Sequence, residues 1–141
     1  MSKPLLIVIG GPTAVGKTAL AIQLAQRLKT EIVSADSRQV YKELGIAVAK
    51  PDSQELEAVK HHFISNVSIQ EDYNAGRYAD ESLALLESLF QRHKQVVLVG
   101  GSGLYIKALI HGFDALPSAN QELRKELQQL LKGKCNLFFD F

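Results

Sequence analysis

A single cysteine, Cys135, stands in the 141-residue sequence. That excludes an intrachain disulfide and any zinc site built from several thiolates. No uninterrupted apolar stretch approaches the roughly 20 residues that a bilayer-spanning helix requires, so no membrane partner is expected. A secretory leader is not expected either. Only Lys3 precedes the short apolar run Leu5 to Ile9, which meets Gly10 and Gly11 instead of a small-residue cleavage site. These absences point to a soluble protein of the cytoplasm. Surplus charge is lacking as well, with 16 Lys and Arg against 15 Asp and Glu. Nucleic-acid binding usually leaves a basic footprint, so composition alone does not suggest such a partner.

What remains is enough apolar residue, 46% of the chain, for one hydrophobic core and a single domain. Leu5 to Ile9 is a continuous apolar run bounded by glycines, which predicts a strand buried on both faces of a parallel sheet. After Gly16, Leu20, Leu24 and Leu28, flanked by Ala21 and Ala25, recur at helical spacing and predict a stripe packed on that sheet. Glu31 to Ala35 reads as a second strand ending at Asp36, followed by a polar loop through Pro51 and a short charged helix capped by Ser53. The stretch from His61 to Tyr73 has no clear period. Leu83, Leu85, Leu86, Leu89 and Phe90 predict a helix over about 75–93, and Val96 to Val99 a further buried strand. Ser102 is placed to cap a helix carrying Leu104, Ile106, Ala108 and Leu109. Pro117 and Ser118 precede a last helix with Leu123, Leu127, Leu130 and Leu131 as its stripe. The leucine stripes are expected to form the core. Alternating strands and helices predict an α/β fold with an open, mostly parallel sheet and right-handed crossovers. Ligands gather at the carboxyl ends of the strands in such sheets.

Three motifs lie where that rule puts a site. Gly11, Pro12, Thr13, Ala14, Val15, Gly16, Lys17 and Thr18 fit G-x-x-x-x-G-K-[ST] between a buried strand and an amphipathic helix. In such a loop, backbone N–H groups and the helix N-terminus face phosphates, Lys17 adds a positive charge, and Thr18 offers its hydroxyl to Mg²⁺. A loop of this kind selects a di- or triphosphate, not a reaction. The strand Val96 to Val99 ends in Gly100 and Gly101 with no acidic residue, so the Mg²⁺-holding aspartate typical of P-loop NTPases is missing there. Asp36 is the nearby carboxylate the sequence offers, as a metal-linked group or a general base. Asp36, Ser37, Arg38 and Gln39 form a simple polar turn with an Asp cap, or together satisfy the edge of an unstacked base. The adjacent His61 and His62 cannot both face one metal and are read as structural. Lys50 and Arg77 are read as solvated surface charges.

The order of Gly11 to Thr18, Asp36-Ser-Arg-Gln-Val-Tyr41, Ala49-Lys-Pro51, His61-His62-Phe63 and Gly100-Gly-Ser-Gly-Leu-Tyr105 resembles that of tRNA dimethylallyltransferases (tRNA isopentenyltransferases). The resemblance spans residue 5 to about 131, the N-terminal half of such an enzyme, and implies a P-loop NTPase-like fold. By position it implies that the P-loop grips the diphosphate of dimethylallyl diphosphate. It also implies that Asp36 to Gln39 receive the adenine beside the anticodon of tRNA, with Asp36 as the base acting on the exocyclic amine. Ser102 would stand at a tRNA contact usually held by Thr. Lys17, Thr18 and Asp36 are then the catalytic residues, with Mg²⁺ at Thr18 and a monomer acting on the anticodon arm.

Some positions depart from the family pattern. Val15 replaces a Ser, and Ile46-Ala-Val-Ala-Lys-Pro51 replaces Ile-Gly-Thr-Ala-Lys-Pro, so Val48 puts one substrate contact in doubt. Residues 132–141 form a tail unlike the family, following a P-loop core over 1–131. Family members are much longer, and the expectation is a chain truncated before the helical insertion that grips tRNA. Two other readings compete: a P-loop small-molecule or nucleotide kinase, and a non-catalytic diphosphate-binding fragment.

Overall fold

The computed structural model describes residues 3–46, 48–112 and 120–135, with only the backbone for Gln121 and 132–135. Pro117, Ser118 and the tail from residue 136 onward lie outside the described residues. Nine elements follow in order: β1 (Leu5–Gly10), α1 (Lys17–Leu28), β2 (Ile32–Ser34), α2 (Ser53–Ala58), β3 (His61–His62), α3 (Ala75–Phe90), β4 (Gln95–Gly100), α4 (Gly103–His111) and α5 (Gln121–Cys135). The four strands form one parallel sheet in the order β1-β4-β2-β3, so the predicted α/β class and open parallel sheet are observed. No helix among the described residues is long and apolar enough to cross a membrane.

Alternation along the central strands divides the core in two. Ile32, Val97 and Val99 pack with Ala21, Ile22 and Ala25 of α1 on one face. Val33, Val96 and Leu98 pack with Tyr78, Leu86 and Leu89 of α3 and Ala108 and Leu109 of α4 on the other. Successive strand side chains point to opposite faces, and both faces are covered, which is why β4 reads as an unbroken apolar run. Tyr78 is fully buried, stacks on Tyr105 with ring centroids 4.4 Å apart, and donates its hydroxyl to the Ser34 carbonyl at 2.8 Å. Its polar end is therefore satisfied inside the core.

Two expectations about burial are corrected. β1 is an edge strand among the described residues, and Leu5 and Val8 are 50% and 39% exposed; an apolar run shows β propensity but not whether a second neighbour is present. The leucine stripes are not uniformly core. In α1 the buried face is Ala21, Ile22 and Ala25, because alanines let the helix axis approach the valines of β4, while Leu20 is exposed. Leu83, Leu104 and the α5 leucines 123, 127, 130 and 131 are likewise exposed.

The His61 to Tyr73 stretch hides a strand. β3 is two residues long and lies beside β2, with Ile32 paired to His61 and Val33 to His62. At the amino end of β2, opposite the phosphate loop, the Glu31 carboxylate meets His62 Nε2 at 2.6 Å, Arg92 at 3.2 Å, His93 Nε2 at 3.3 Å and Lys60 at 3.6 Å. His61 instead bonds the Val59 carbonyl through Nδ1, and burial pushes its pKa down. Each histidine thus has a hydrogen-bond partner within the fold, while His61 Nε2 is buried without one among the described residues. Burial works to raise the Glu31 pKa, but hydrogen bonds from His62 and His93 and the charges of Lys60 and Arg92 together hold it below the ordinary carboxylate range. A depressed carboxylate pKa adds stability that is complete above the unfolded value, about 4.3, and is lost as pH falls through the folded value. Glu31→Gln is therefore expected to lower unfolding free energy by about 2 kcal/mol at pH 7. Urea titrations at pH 7 and pH 3.5 check this, and the gap between variant and wild type should narrow at the lower pH.

Candidate active site

The phosphate loop follows β1 directly. Gly16, with φ of 83°, ends the loop in a left-handed conformation as N-cap of α1, and no side chain caps the helix. Glycine accepts that geometry at no steric cost, and the first amides of α1 are left for a ligand. Lys17 reaches back across the loop, its ammonium donating to the Pro12 carbonyl.

The Asp36 loop is fastened beside it by backbone contacts. Ala35 N–H donates to the Val99 carbonyl at 2.7 Å, and Ser102 N–H to the Ala35 carbonyl at 3.1 Å. A Cβ on Gly100 would lie 2.1 Å from the Ala35 oxygen, so this crossing needs glycine. Asp36 Oδ1 accepts from the N–H of Arg38 at 2.9 Å and of Gln39 at 3.3 Å. The simple Asp turn is thus present, and it fixes the carboxylate while Oδ2 takes no hydrogen bond from the described residues. Ser102 occupies the N-cap position of α4 without capping it. Its hydroxyl accepts from Ser37 N–H at 2.8 Å and donates to Ser37 Oγ at 3.1 Å, tying the loops after β2 and β4 together. Gln39 Nε2 donates to the Ala49 carbonyl at 2.6 Å, and Gln39 Oε1 accepts from Ser34 Oγ at 3.3 Å.

Two cavities flank the loop. One of about 230 Å³ is lined by Thr13, Ala14, Gly16, Lys17, Thr18, Asp36 and Gln39, together with Ala19, Ala49, Glu55, Val99, Gly100 and Gly101. The other, about 470 Å³ and more open, lies against Gly11, Pro12, Ile106, Lys107, Ile110 and His111. The cationic loop and the Asp36 carboxylate share the smaller cavity. Ser37, Arg38 and Ser102 do not line it, and Val15 is 59% exposed.

Four residues differ from the sequence reading. Glu55 is a second carboxylate at the cavity where Asp36 alone was expected. The cap of α2 is Asp52, in a reciprocal box with Glu55, and not Ser53; the D-x-x-E spacing was the available signal. Lys50 is no solvated charge: its ammonium donates to the Tyr41 carbonyl at 2.6 Å and to Ser65 Oγ at 2.8 Å. Arg77 lies at the surface but is engaged, paired to Glu81 and Glu71 and lying over the Tyr73 ring at 4.9 Å.

A sequence profile of the family described as IPP transferase matches residues 39–138. The chain belongs to the IPP transferase family. A tRNA dimethylallyltransferase of Cytophaga hutchinsonii is 52% identical over 124 residues, covering 88% of this chain and 41% of the relative. That of Flavobacterium johnsoniae is 53% identical over 122 residues, covering 86% of this chain and 40% of the relative. Among solved structures, a full-length tRNA isopentenylpyrophosphate transferase of Bacillus halodurans superposes with a TM-score of 0.76 at 37% identity, over 93% of this chain and 44% of that one. A eukaryotic dimethylallyltransferase captured acting on tRNA gives 0.74 at 29% identity, over 96% and 37%. The chain therefore spans about 40% of the length of these curated relatives.

Proposed function

We propose that this chain is the diphosphate-gripping and proton-accepting part of an enzyme that transfers a dimethylallyl group from dimethylallyl diphosphate to the exocyclic amine of the adenosine beside the anticodon of tRNA. The observation that carries this reading is one cavity with Lys17, Thr18 and the loop on one side and Asp36 on the other. Attack by nitrogen on the allylic carbon breaks the carbon–oxygen bond, releases diphosphate and leaves a proton on the amine. The loop amides and Lys17 stabilise the departing oxygens, usually the largest catalytic contribution. Asp36 takes the proton through its free Oδ2. The Gly100-Gly101 end of β4, without an acidic residue, disfavours the kinase reading.

Mg²⁺ belongs to the same proposal. The Thr18 hydroxyl, a hard oxygen donor at the cavity, would hold the ion. No group of three or more His, Cys, Asp or Glu side chains able to hold a metal occurs among the described residues. Mg²⁺ itself keeps several waters and takes further ligands from a substrate phosphate. When bound, it would offset charge on the leaving diphosphate. Contacts to the anticodon arm are assigned to the length that relatives have beyond this chain. A cytoplasmic location is part of the same proposal, in keeping with a sequence that has one cysteine.

Calorimetric titration of the chain with dimethylallyl diphosphate tests the reading. Lys17→Ala is expected to weaken binding by about 10- to 100-fold, since a charge-assisted contact contributes about 1.5–3 kcal/mol. Val15→Ser should leave binding within about threefold, because the loop holds anions through its backbone. Equal binding by wild type and Lys17→Ala would count against the site. ATP-dependent phosphoryl transfer would support the kinase reading instead.

A further inference from the structure

The capping box of α2 accounts for one oxygen of the Glu55 carboxylate and leaves the other without a partner among the described residues. Glu55 is half-buried and faces the same small cavity as Lys17, Thr18 and Asp36. One of its oxygens has a structural role: Oε2 accepts from Asp52 N–H at 2.9 Å, while Asp52 Oδ1 accepts from Glu55 N–H at 2.8 Å. This reciprocal pair fixes the rotamer. Oε1 takes no hydrogen bond from the described residues, and no cation among them forms an ion pair with Glu55.

A second negative charge beside a loop built for a diphosphate weakens that loop's grip unless a cation lies between them. Like charges at short range repel most where water is partly excluded. The one ammonium at the cavity, Lys17, belongs to the phosphate side. A glutamine at this position would cap α2 equally well through its amide oxygen, so capping does not call for the charge.

We infer that Glu55 is a positioning residue for a divalent cation at this cavity, holding the waters of a Mg²⁺ that Thr18 and the diphosphate ligate directly. Mg²⁺ usually retains part of its hydration shell, and groups that orient its ligands tune its affinity. The inference rests on the diphosphate-site reading above and adds Glu55 to it. Asp36 is then left to the amine, and the two carboxylates divide the work: one faces the cation, the other the proton.

Glu55→Gln separates charge from capping. In the 141-residue chain, binding of inorganic diphosphate is titrated calorimetrically across a range of Mg²⁺ concentrations, with Mn²⁺ binding in the presence of diphosphate followed by electron paramagnetic resonance. The variant is expected to need about tenfold more Mg²⁺ for half-maximal diphosphate binding and to bind Mn²⁺ correspondingly less tightly. Its melting temperature should fall by no more than a few degrees, since a carboxylate in the first turn of a helix contributes only modestly to stability, and its diphosphate affinity without metal should match or exceed that of wild type. Asp52→Ala, which removes the side-chain cap and keeps the Glu55 carboxylate, should leave the Mg²⁺ requirement within about threefold. An unchanged requirement in Glu55→Gln overturns the inference, as does an equal shift in both variants, which would trace the effect to helix capping. Diphosphate binding by wild type that is indifferent to Mg²⁺ overturns it too while sparing the anion site. If wild type binds no diphosphate at any Mg²⁺ concentration, the site reading fails and takes this inference with it.

Discussion

Asp36→Asn is expected to slow prenyl transfer by at least about 100-fold while leaving diphosphate binding within about threefold. The measurement uses a full-length chimera in which this chain replaces the matching segment of a relative, assayed with labelled dimethylallyl diphosphate and tRNA. The substitution is selective because Oδ1 and Oδ2 have different tasks. Asparagine still accepts from the N–H groups of Arg38 and Gln39 through Oδ1, so the turn survives. Only the capacity to accept a proton is removed, a contribution of roughly 10²- to 10⁴-fold. Turnover within tenfold of the parent chimera would exclude Asp36 as the base. Loss of diphosphate binding would show that the carboxylate organises the phosphate loop instead.

The second large effect is steric. Gly100→Ala would put a Cβ 2.1 Å from the Ala35 oxygen, 2.4 Å from its carbonyl carbon and 2.8 Å from its Cα. These are backbone atoms and cannot swing aside as a side chain can. Relief requires β2 and β4 to part where Ala35 N–H meets the Val99 carbonyl and Ser102 N–H meets the Ala35 carbonyl. Overpacking costs about 1–3 kcal/mol and each lost hydrogen bond about 1 kcal/mol, so a loss of about 4 kcal/mol is expected. The melting temperature should fall by at least about 10 °C. Gly103→Ala is the control, since a Cβ there meets nothing within 4 Å. A Gly100→Ala protein that melts within 2 °C of wild type would contradict the crossing.

Much of the fold was legible because it rests on local pattern. The phosphate loop carries its own chemistry, and the apolar run of β4 and the period of α3 survive without knowledge of their neighbours. What escaped the sequence depends on partners far along the chain. Leu5 to Ile9 looks like a central strand because the residues that suit a parallel sheet do not record how many neighbours each strand has. Leu20 reads as core with Ala21 flanking it, whereas close helix–sheet approach buries the smaller side chain and leaves Leu20 exposed. His61 and His62 have no strand period because β3 is too short to display one, and Glu31 is the residue that holds one of them. Ser102 and Lys50 were misjudged for one reason: their partners, Ser37, Tyr41 and Ser65, are reached only after the chain folds back. Glu55 could be paired with Asp52 on spacing, but its place at the phosphate cavity follows from how the loop after β2 returns to the sheet.

The strand order has a consequence for how the site comes into being. β4 lies between β1 and β2, yet it is the last of the four in sequence. Leu5 pairs with Gln95 across 90 residues, and Ile32 pairs with Val97 across 65. Until residues 95–100 are available, β1 and β2 have no common strand neighbour, so nothing in the sheet holds the phosphate loop at the end of one in register with the Asp36 turn at the end of the other. Pairings this distant in sequence must close long loops before they are rewarded, which makes them slow steps in folding. Pairing of the central strand with both neighbours therefore assembles the sheet and brings the anion loop and the carboxylate into register together.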